Sequence, residues 1–163
     1  MKHTLLIMRH AKSSWNDMSL SDRERPLNKR GKHDAPLMGK RLKNTGYKCD
    51  LLIASPAVRA LTTAKAVAKE IGYPQKKIMI DEALYMADVD DYLSSIAGID
   101  ERVKHLMIVS HNPGSEELVK YFTSEQFEKF PTAAYALIEI EGSWSAIKSS
   151  GLLRFDYPKL TIG

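Results

Sequence analysis

The sequence TLLIMRH, residues 4–10, places a short apolar run directly before Arg9 and His10. A short apolar run that gives way at once to polar residues is typical of a buried β-strand. The same arrangement recurs in LLIA at residues 51–54 and in LMIV at residues 106–109, each followed by polar residues. We therefore expect three buried strands whose polar ends carry the chemistry.

Helical patterns separate these strands along the chain. Ser55 is predicted to cap the helix after the second strand, with Pro56 at its first helical position. From periodicity and cap signals, helices are predicted at residues 28–44, 56–71, 89–97 and 113–122. Further strands are predicted at residues 77–80, at 134–140 and within 146–155. No internal repeat or linker interrupts this order, so residues 1–163 are expected to form a single domain.

Alternating strands and helices predict an α/β fold, in which a mostly parallel sheet lies between two helical layers. We expect a three-layer α/β/α sandwich. The last two predicted strands are too close in sequence for a helix between them, so they are expected to pair antiparallel. In such folds, ligands bind beyond the C-terminal ends of the parallel strands.

Composition excludes several classes of protein. The chain has 163 residues, of which 44% are hydrophobic and 27% are charged, as in ordinary globular proteins. No apolar run approaches the roughly 20 residues that a membrane span needs. The single cysteine, Cys49, excludes an internal disulfide, and no secretory signal is apparent at the N-terminus. We therefore expect a cytoplasmic protein that does not associate with membranes.

Positive charge is concentrated in the first third of the chain. Residues 1–60 contain 13 Lys and Arg against 5 Asp and Glu, a balance of +8, whereas the whole chain carries +4. This surplus favours an anionic partner. Because no zinc-finger spacing, basic zipper or aromatic RNA-binding motif is present, a phosphate-bearing ligand is favoured and nucleic acid is not expected.

The polar residues after four predicted strands are expected to meet at one edge of the sheet. They are Arg9 and His10, Arg59 in the first turn of the next helix, Asp81 and Glu82, and His111 and Asn112. Arginine binds phosphate in a bidentate fork, and helix N-termini also favour anions. The pattern therefore predicts a phosphate pocket that contains two histidines.

A neutral imidazole beside two arginines can act as a nucleophile towards phosphorus. We predict that His10 takes the phosphoryl group, while Arg9 and Arg59 stabilise its oxygens and His111 donates a hydrogen bond. Glu82 is a candidate general acid and base. A metal site at His10 and His111 is the alternative, but two adjacent arginines disfavour it, so neither a metal nor another cofactor is expected.

Three ordered motifs resemble those of the histidine phosphatase (phosphoglycerate mutase-like) superfamily. They are LIMRHA at residues 6–11, SPAVRALTTA at residues 55–64, and SHN at residues 110–112. Ala11 and Asn112 stand where that family commonly has glycine. Arg25-Pro26-Leu27 and Arg30-Gly31 fit the family's segment after the nucleophile loop.

The resemblance implies a phosphoglycerate mutase-like fold, a phosphorylated His10, and a phosphate pocket completed by Arg9, Arg59 and His111. It also implies catalysis without a metal. We place Asn112 among the phosphate-binding residues, with capping of the following helix as its alternative role. The family's acid falls near Glu82, and Asp17 and Asp22 are rival candidates.

The short segment between Arg59 and His111 leaves no room for a lid insertion. Together with the pattern RHAKSSW–RPLNKRG, this resembles the SixA-type branch, which removes phosphate from phosphohistidine in signalling proteins. A phosphorylated protein is thus the expected substrate. The alternatives are a phosphatase of small phosphomonoesters and a non-catalytic phosphoprotein-binding module. Mutase activity is disfavoured because it needs a closed pocket, and a monomer is expected.

Overall fold

The predicted apolar runs assemble into one central sheet. The computed structural model describes residues 2–160. Its strands are β1 (Lys2–Arg9), β2 (Leu51–Ala54), β3 (Met79–Ile80), β4 (His105–Ser110), β5 (Tyr135–Ser143) and β6 (Ala146–Asp156). They lie in the order β3-β2-β4-β1-β5-β6, in which the first four are parallel. β5 runs antiparallel to β1, and β6 runs antiparallel to β5, the pairing that the sequence predicted.

Four helices cover the two faces of this sheet. They are α1 (Lys29–Asn44), α2 (Val58–Ile71), α3 (Val89–Ala97) and α4 (Gly114–Thr123). The Asn28 side chain caps α1 by accepting a hydrogen bond from the Gly31 backbone at 2.8 Å. α2 ends at Gly72, whose left-handed backbone, with φ of 79°, suits glycine.

The side chains of β1 pack against the helices on both faces of the sheet. Leu6 and Met8 face a core that they share with α1 and α2, whereas Leu5 and Ile7 face a second core built with α3 and α4. All four side chains are at most 1% exposed. Burial of each such side chain contributes about 1.5–3 kcal/mol. The continuous apolar run of β1 therefore packs against helices on both faces of the sheet, as a three-layer α/β/α architecture requires.

Two local predictions were wrong. α2 begins at Val58 with Ala57 at its cap, so Ser55 does not cap it and Pro56 is not its first helical residue. The third strand spans only Met79–Ile80 rather than 77–80, because residues 75–77 form a turn of 3₁₀ helix.

The topology brings the C-terminal ends of β1, β2 and β4 to one edge of the sheet. The chain between Arg59 and His111 forms the rest of α2, two short 3₁₀ turns, β3, α3 and β4. Among residues 2–160, no helix has both the length and the apolar character required to cross a membrane.

Candidate active site

His10 is fixed through its backbone at the end of β1. Its N–H donates to the Ser110 carbonyl at 2.9 Å, and its carbonyl accepts from the Ala133 N–H at 3.0 Å. The following N–H, that of Ala11, donates to the Thr63 hydroxyl at 3.0 Å. Contacts from β4, from the segment before β5 and from α2 therefore hold this residue rigidly at the sheet edge.

The His10 ring presents a free lone pair. Its Nδ1 lies 2.6 Å from the Ala11 carbonyl, and since a carbonyl only accepts hydrogen bonds, Nδ1 carries the proton. The lone pair is then on Nε2. Burial lowers the pKa of His10 to about 3, and His111, Arg59 and Arg9 act in the same direction against the Ala11 carbonyl. The ring is thus neutral, and nucleophilic, at neutral pH.

His111 lies beside it, with ring centroids 5.2 Å apart. The ring is 9% exposed, and its Nε2 is 2.7 Å from the Ser55 hydroxyl. This contact explains why Ser55 is not a helix cap: its hydroxyl faces His111, although it also accepts a long bond of 3.3 Å from the Ala57 N–H. Burial, reinforced mainly by Arg59, lowers the pKa of His111 to about 4.

The two arginines predicted from the sequence lie beside His10 and His111. Arg59, in the first turn of α2, is 7% exposed and donates to Asp22 through both terminal nitrogens. Arg9 donates from Nη1 to the Phe130 carbonyl at 3.1 Å, and its buried Nε has no partner among the described residues. Guanidinium groups in this arrangement can bind phosphoryl oxygens.

A cavity of about 290 Å³ joins these groups. It is lined by Arg9, His10, Arg59, His111 and Asn112, together with Lys12, Ser13, Trp15, Arg25 and Thr132. The sequence-based site residues from β1, α2 and the end of β4 therefore do meet. The cavity carries four cationic side chains, which suits a phosphate dianion.

Arg25 and Lys12 were not assigned to the site from the sequence. Arg25 is 7% exposed, donates to Asp22 and to the Ser14 carbonyl, and stacks on Trp15 with its guanidinium carbon 3.2 Å from the ring centroid. The motif Arg25-Pro26-Leu27 drew attention to this segment, but the sequence did not indicate that the loop would place the Arg25 side chain in the cavity.

The loop that bears Arg25 is closed at its base. The Ser14 N–H donates to the Pro26 carbonyl at 2.8 Å, and the Asn28 N–H donates to the Lys12 carbonyl at 2.9 Å. Gly31 allows this contact, because a Cβ there would lie 2.1 Å from the Lys12 carbonyl oxygen. α1 therefore fixes the chain two residues after His10.

Glu82 is not brought to this cavity. Its side chain is 72% exposed and pairs with Arg23, and it does not line the 290 Å³ cavity. Asp17 is exposed and is hydrogen-bonded by Ser19, which lowers its pKa. Asp22 lies closer, but a hydrogen bond from Tyr85, then the contacts with Arg59 and Arg25, hold the pKa of its carboxyl well below the usual range against partial burial.

Asn112 lines the cavity, but its side chain already has partners. Its Nδ2 donates to the Phe130 carbonyl at 3.1 Å, and its Oδ1 accepts from the Glu116 N–H at 3.2 Å in the first turn of α4. The bond from the Glu116 N–H fits the helix-capping role considered for Asn112 as an alternative. Within residues 2–160, no group of three or more His, Cys, Asp or Glu side chains is arranged to bind a metal ion.

Comparisons with known structures support the fold. The structure of SixA from Agrobacterium tumefaciens, assigned as a phosphohistidine phosphatase, superposes with a TM-score of 0.82, at 26% identity, over 96% of this chain and 98% of that chain. A mycobacterial glucosyl-3-phosphoglycerate phosphatase shares the fold at a TM-score of 0.69 and 13% identity, over 93% of this chain and 97% of that one. The predicted phosphoglycerate mutase-like fold is thereby confirmed.

Sequence relatives lead to the same family. A chloroplast protein of Arabidopsis thaliana is 30% identical over 86% of this chain and 68% of its own length. A 2,3-bisphosphoglycerate-dependent phosphoglycerate mutase of Brucella ovis is 33% identical over 72% of this chain and 62% of its own length. Residues 5–107 match the histidine phosphatase superfamily, branch 1. With its paired histidines and arginines at one sheet edge, the chain belongs to the histidine phosphatase superfamily.

Proposed function

We propose that this protein is a phosphatase that works through a phosphorylated His10, and that its substrate is phosphohistidine in another protein. The single observation that carries the proposal is the His10 ring, which is held neutral with Nε2 free beside Arg9, Arg59 and His111. Membership of the family supports phosphatase chemistry in general.

The reaction has two steps. In the first, Nε2 of His10 attacks phosphorus, the new P–N bond forms, and the bond from phosphorus to the leaving group breaks with its electron pair on that group. In the second, water attacks phosphorus, the P–Nε2 bond breaks, and the products are inorganic phosphate and free His10. Arg9 and Arg59 stabilise the phosphoryl oxygens throughout, and His111 is placed to hydrogen-bond one of them.

The leaving group favours phosphohistidine over an ordinary ester. An alkoxide needs a proton as it departs, but Asp22 is held ionised and Glu82 pairs with Arg23 outside the cavity. An imidazole whose second nitrogen is already protonated leaves as a neutral molecule. The catalytic groups that line the cavity are therefore sufficient for a phosphohistidine substrate, and Glu82 is not required as an acid.

The surroundings of the cavity support a protein substrate. Trp15 lines one side and is 73% exposed, and Met18 in the same loop is 94% exposed. Exposed apolar side chains grouped at a site mark protein contacts. We infer that no lid covers the sheet edge, so that a histidine on a folded partner can reach His10. We further propose that the protein acts in the cytoplasm, in signalling, as a monomer and without a metal or cofactor.

The test is a comparison of substrates and variants. A phosphorylated histidine-containing domain and a panel of small phosphomonoesters are assayed with wild type, with His10→Ala and with His33→Ala, a control histidine whose side chain is 75% exposed. We expect faster turnover of the protein substrate, alkali-stable phosphate trapped on the enzyme, and loss of both only in His10→Ala.

Three results would change the proposal. Faster turnover of the phosphomonoesters would favour the small-substrate alternative. Phosphoprotein binding without any turnover would favour a non-catalytic binding module. Activity that EDTA abolishes and a divalent ion restores would replace the metal-free mechanism.

A further inference from the structure

A second cavity, of about 580 Å³, lies beside the phosphate cavity. The two share Arg59, His111 and Asn112, but His10 lines only the smaller one. In an in-line displacement, the leaving group departs on the side of phosphorus opposite the nucleophile. With phosphate held between the shared residues, the leaving group therefore points away from His10 and into the second cavity.

The walls of the second cavity are mainly apolar. Tyr85, Met86 and Pro113 contribute to them, and the Tyr85 ring meets the His111 ring edge-on with centroids 5.7 Å apart. Met86 is 82% exposed at the cavity's rim. Such walls suit a flat, partly apolar group such as an imidazole ring.

His111 has unused hydrogen-bonding capacity at the boundary between the cavities. It is nine-tenths buried, and its Nδ1 has no hydrogen-bond partner among the described residues. A buried polar atom without a partner is costly, and a bound molecule can supply the missing partner. Because Nε2 contacts Ser55, Nδ1 is the nitrogen available to a phosphoryl oxygen, so the proposed reaction places the phosphoryl group at this boundary.

The charges of the second cavity are opposite to those of the first. Asp88 and Glu117 line it, and neither forms an ion pair within residues 2–160. Asp88 caps α3 by accepting from the Asp91 N–H at 2.9 Å, and Glu117 lies in the first turn of α4. Among the described residues, the only cation that lines this cavity is Arg59, at the shared boundary, and it is paired with Asp22.

We propose that this cavity is the leaving-group site and that it selects neutral or cationic groups over anionic ones. Asp88 and Glu117 are its specificity residues: they disfavour a phosphoryl donor that carries a carboxylate near phosphorus, and they favour an imidazole with basic neighbours. The inference rests on the proposed function, because it assumes that His10 attacks the phosphoryl group.

Three small phosphoramidates with the same leaving ring test this directly: N-phosphorylated histamine, imidazole and imidazoleacetate. They carry a positive, a neutral and a negative substituent respectively. For wild type, we expect kcat/KM to fall in that order. In the variant Asp88→Asn/Glu117→Gln, the ratio of kcat/KM for phosphorylated histamine to kcat/KM for phosphorylated imidazoleacetate should shrink. We expect about a threefold decrease for each charge removed, which is the scale of exposed charge interactions. Asparagine preserves the α3 cap.

The matched control is Asp90→Asn/Glu125→Gln, which makes the same change in net charge at exposed residues that do not line the cavity. The proposal is supported if wild type and this control show the expected order of kcat/KM, and if the ratio of kcat/KM between the first and last compounds shrinks only in the cavity variant. It is overturned if wild type turns over all three compounds equally through His10, or if both variants narrow the ratio alike. If turnover of these compounds does not depend on His10, the proposed function is wrong. If turnover depends on His10 but shows no preference among the compounds, only the inference about the second cavity is wrong.

Discussion

Asp22 holds the Arg59 guanidinium at two points: its backbone carbonyl lies 2.6 Å from Nη1 and its Oδ2 lies 2.9 Å from Nη2. The same carboxylate accepts from Arg25 Nη1 at 3.0 Å. One loop residue thus orients two arginines of the phosphate cavity. It also places a negative charge next to the position proposed for the phosphoryl group, so we expect substrate and Asp22 to compete for the same guanidinium.

From this competition we predict that Asp22→Asn binds inorganic phosphate more tightly. Loss of the charge should lower the inhibition constant for phosphate by about threefold to fivefold, because an ion pair at a partly exposed site contributes up to about 1 kcal/mol. Turnover should fall, since Arg59 and Arg25 lose their common anchor. Asp17→Asn is the control, because it removes a charge from the same loop at an exposed residue that contacts Ser19. Equal effects of the two variants would contradict the prediction.

The low pKa of His10, about 3, predicts that its ring stays neutral well into the acidic range. An ordinary histidine, with a pKa of about 6.5, would be almost fully protonated by pH 5. We expect the ring nitrogen signals of His10 in NMR spectra to report the Nδ1–H tautomer at pH 7 and to remain unchanged at pH 5. A protonation midpoint near 6.5 would show that burial does not control this ring.

Acid should destabilise the folded protein through the same histidines. His10 and His111 have folded-state pKa values of about 3 and about 4, below the unfolded value. The unfolded chain therefore binds more protons between about pH 6.5 and pH 4, and the free energy of unfolding falls as pH falls.

Each histidine can contribute up to about 2 kcal/mol of this loss at pH 5. Urea unfolding of wild type and of His10→Asn at pH 7 and pH 5 measures it. The variant should lose less stability than wild type on acidification. Identical losses in the two proteins would mean that His10 does not couple folding to pH.

Thr63 is predicted to position both the segment that follows His10 and the turn of α2 that carries Arg59. Its hydroxyl accepts from the Ala11 N–H at 3.0 Å and donates to the Arg59 carbonyl at 2.7 Å, and the residue is fully buried. Thr63→Val keeps the shape and leaves the Ala11 N–H unpaired, which should cost about 1–3 kcal/mol of stability. It should also lower kcat. Thr63→Ser, which keeps the hydroxyl, should restore kcat in the same assay; failure of this rescue would contradict a positioning role.

The central part of the site could be predicted from the sequence because local signals determine it. A buried strand followed by Arg9 and His10, and another followed by His111, must meet at one edge of a parallel sheet, whatever else the chain does. β2 at Leu51–Ala54 and α3 at Val89–Ala97 were predicted to the residue for the same reason.

Side chains whose placement depends on loop paths could not be predicted in this way. Arg25 reaches the cavity only because the loop folds back from Pro26 to Ser14, a contact that no periodicity encodes. Glu82 follows a strand as expected, but a 3₁₀ turn directs its side chain to Arg23 instead of His10. Ser55 resembles a helix cap locally, yet its hydroxyl is taken by His111, 56 residues further along the chain.

The closed base of the nucleophile loop has a consequence for how such proteins diversify. Ser14 and Pro26 are tied together and Lys12 is tied to Asn28, so the chain that carries Trp15 and Met18 leaves and returns at fixed points. Replacing residues 16–21 changes the exposed tip and leaves Trp15 against Arg25, and doubling the length of the tip costs only about 0.6 kcal/mol in closure entropy. If the proposed function holds, the surface offered to a partner can be exchanged separately from the phosphate site, and chimaeras with exchanged tips should keep an unchanged affinity for phosphate.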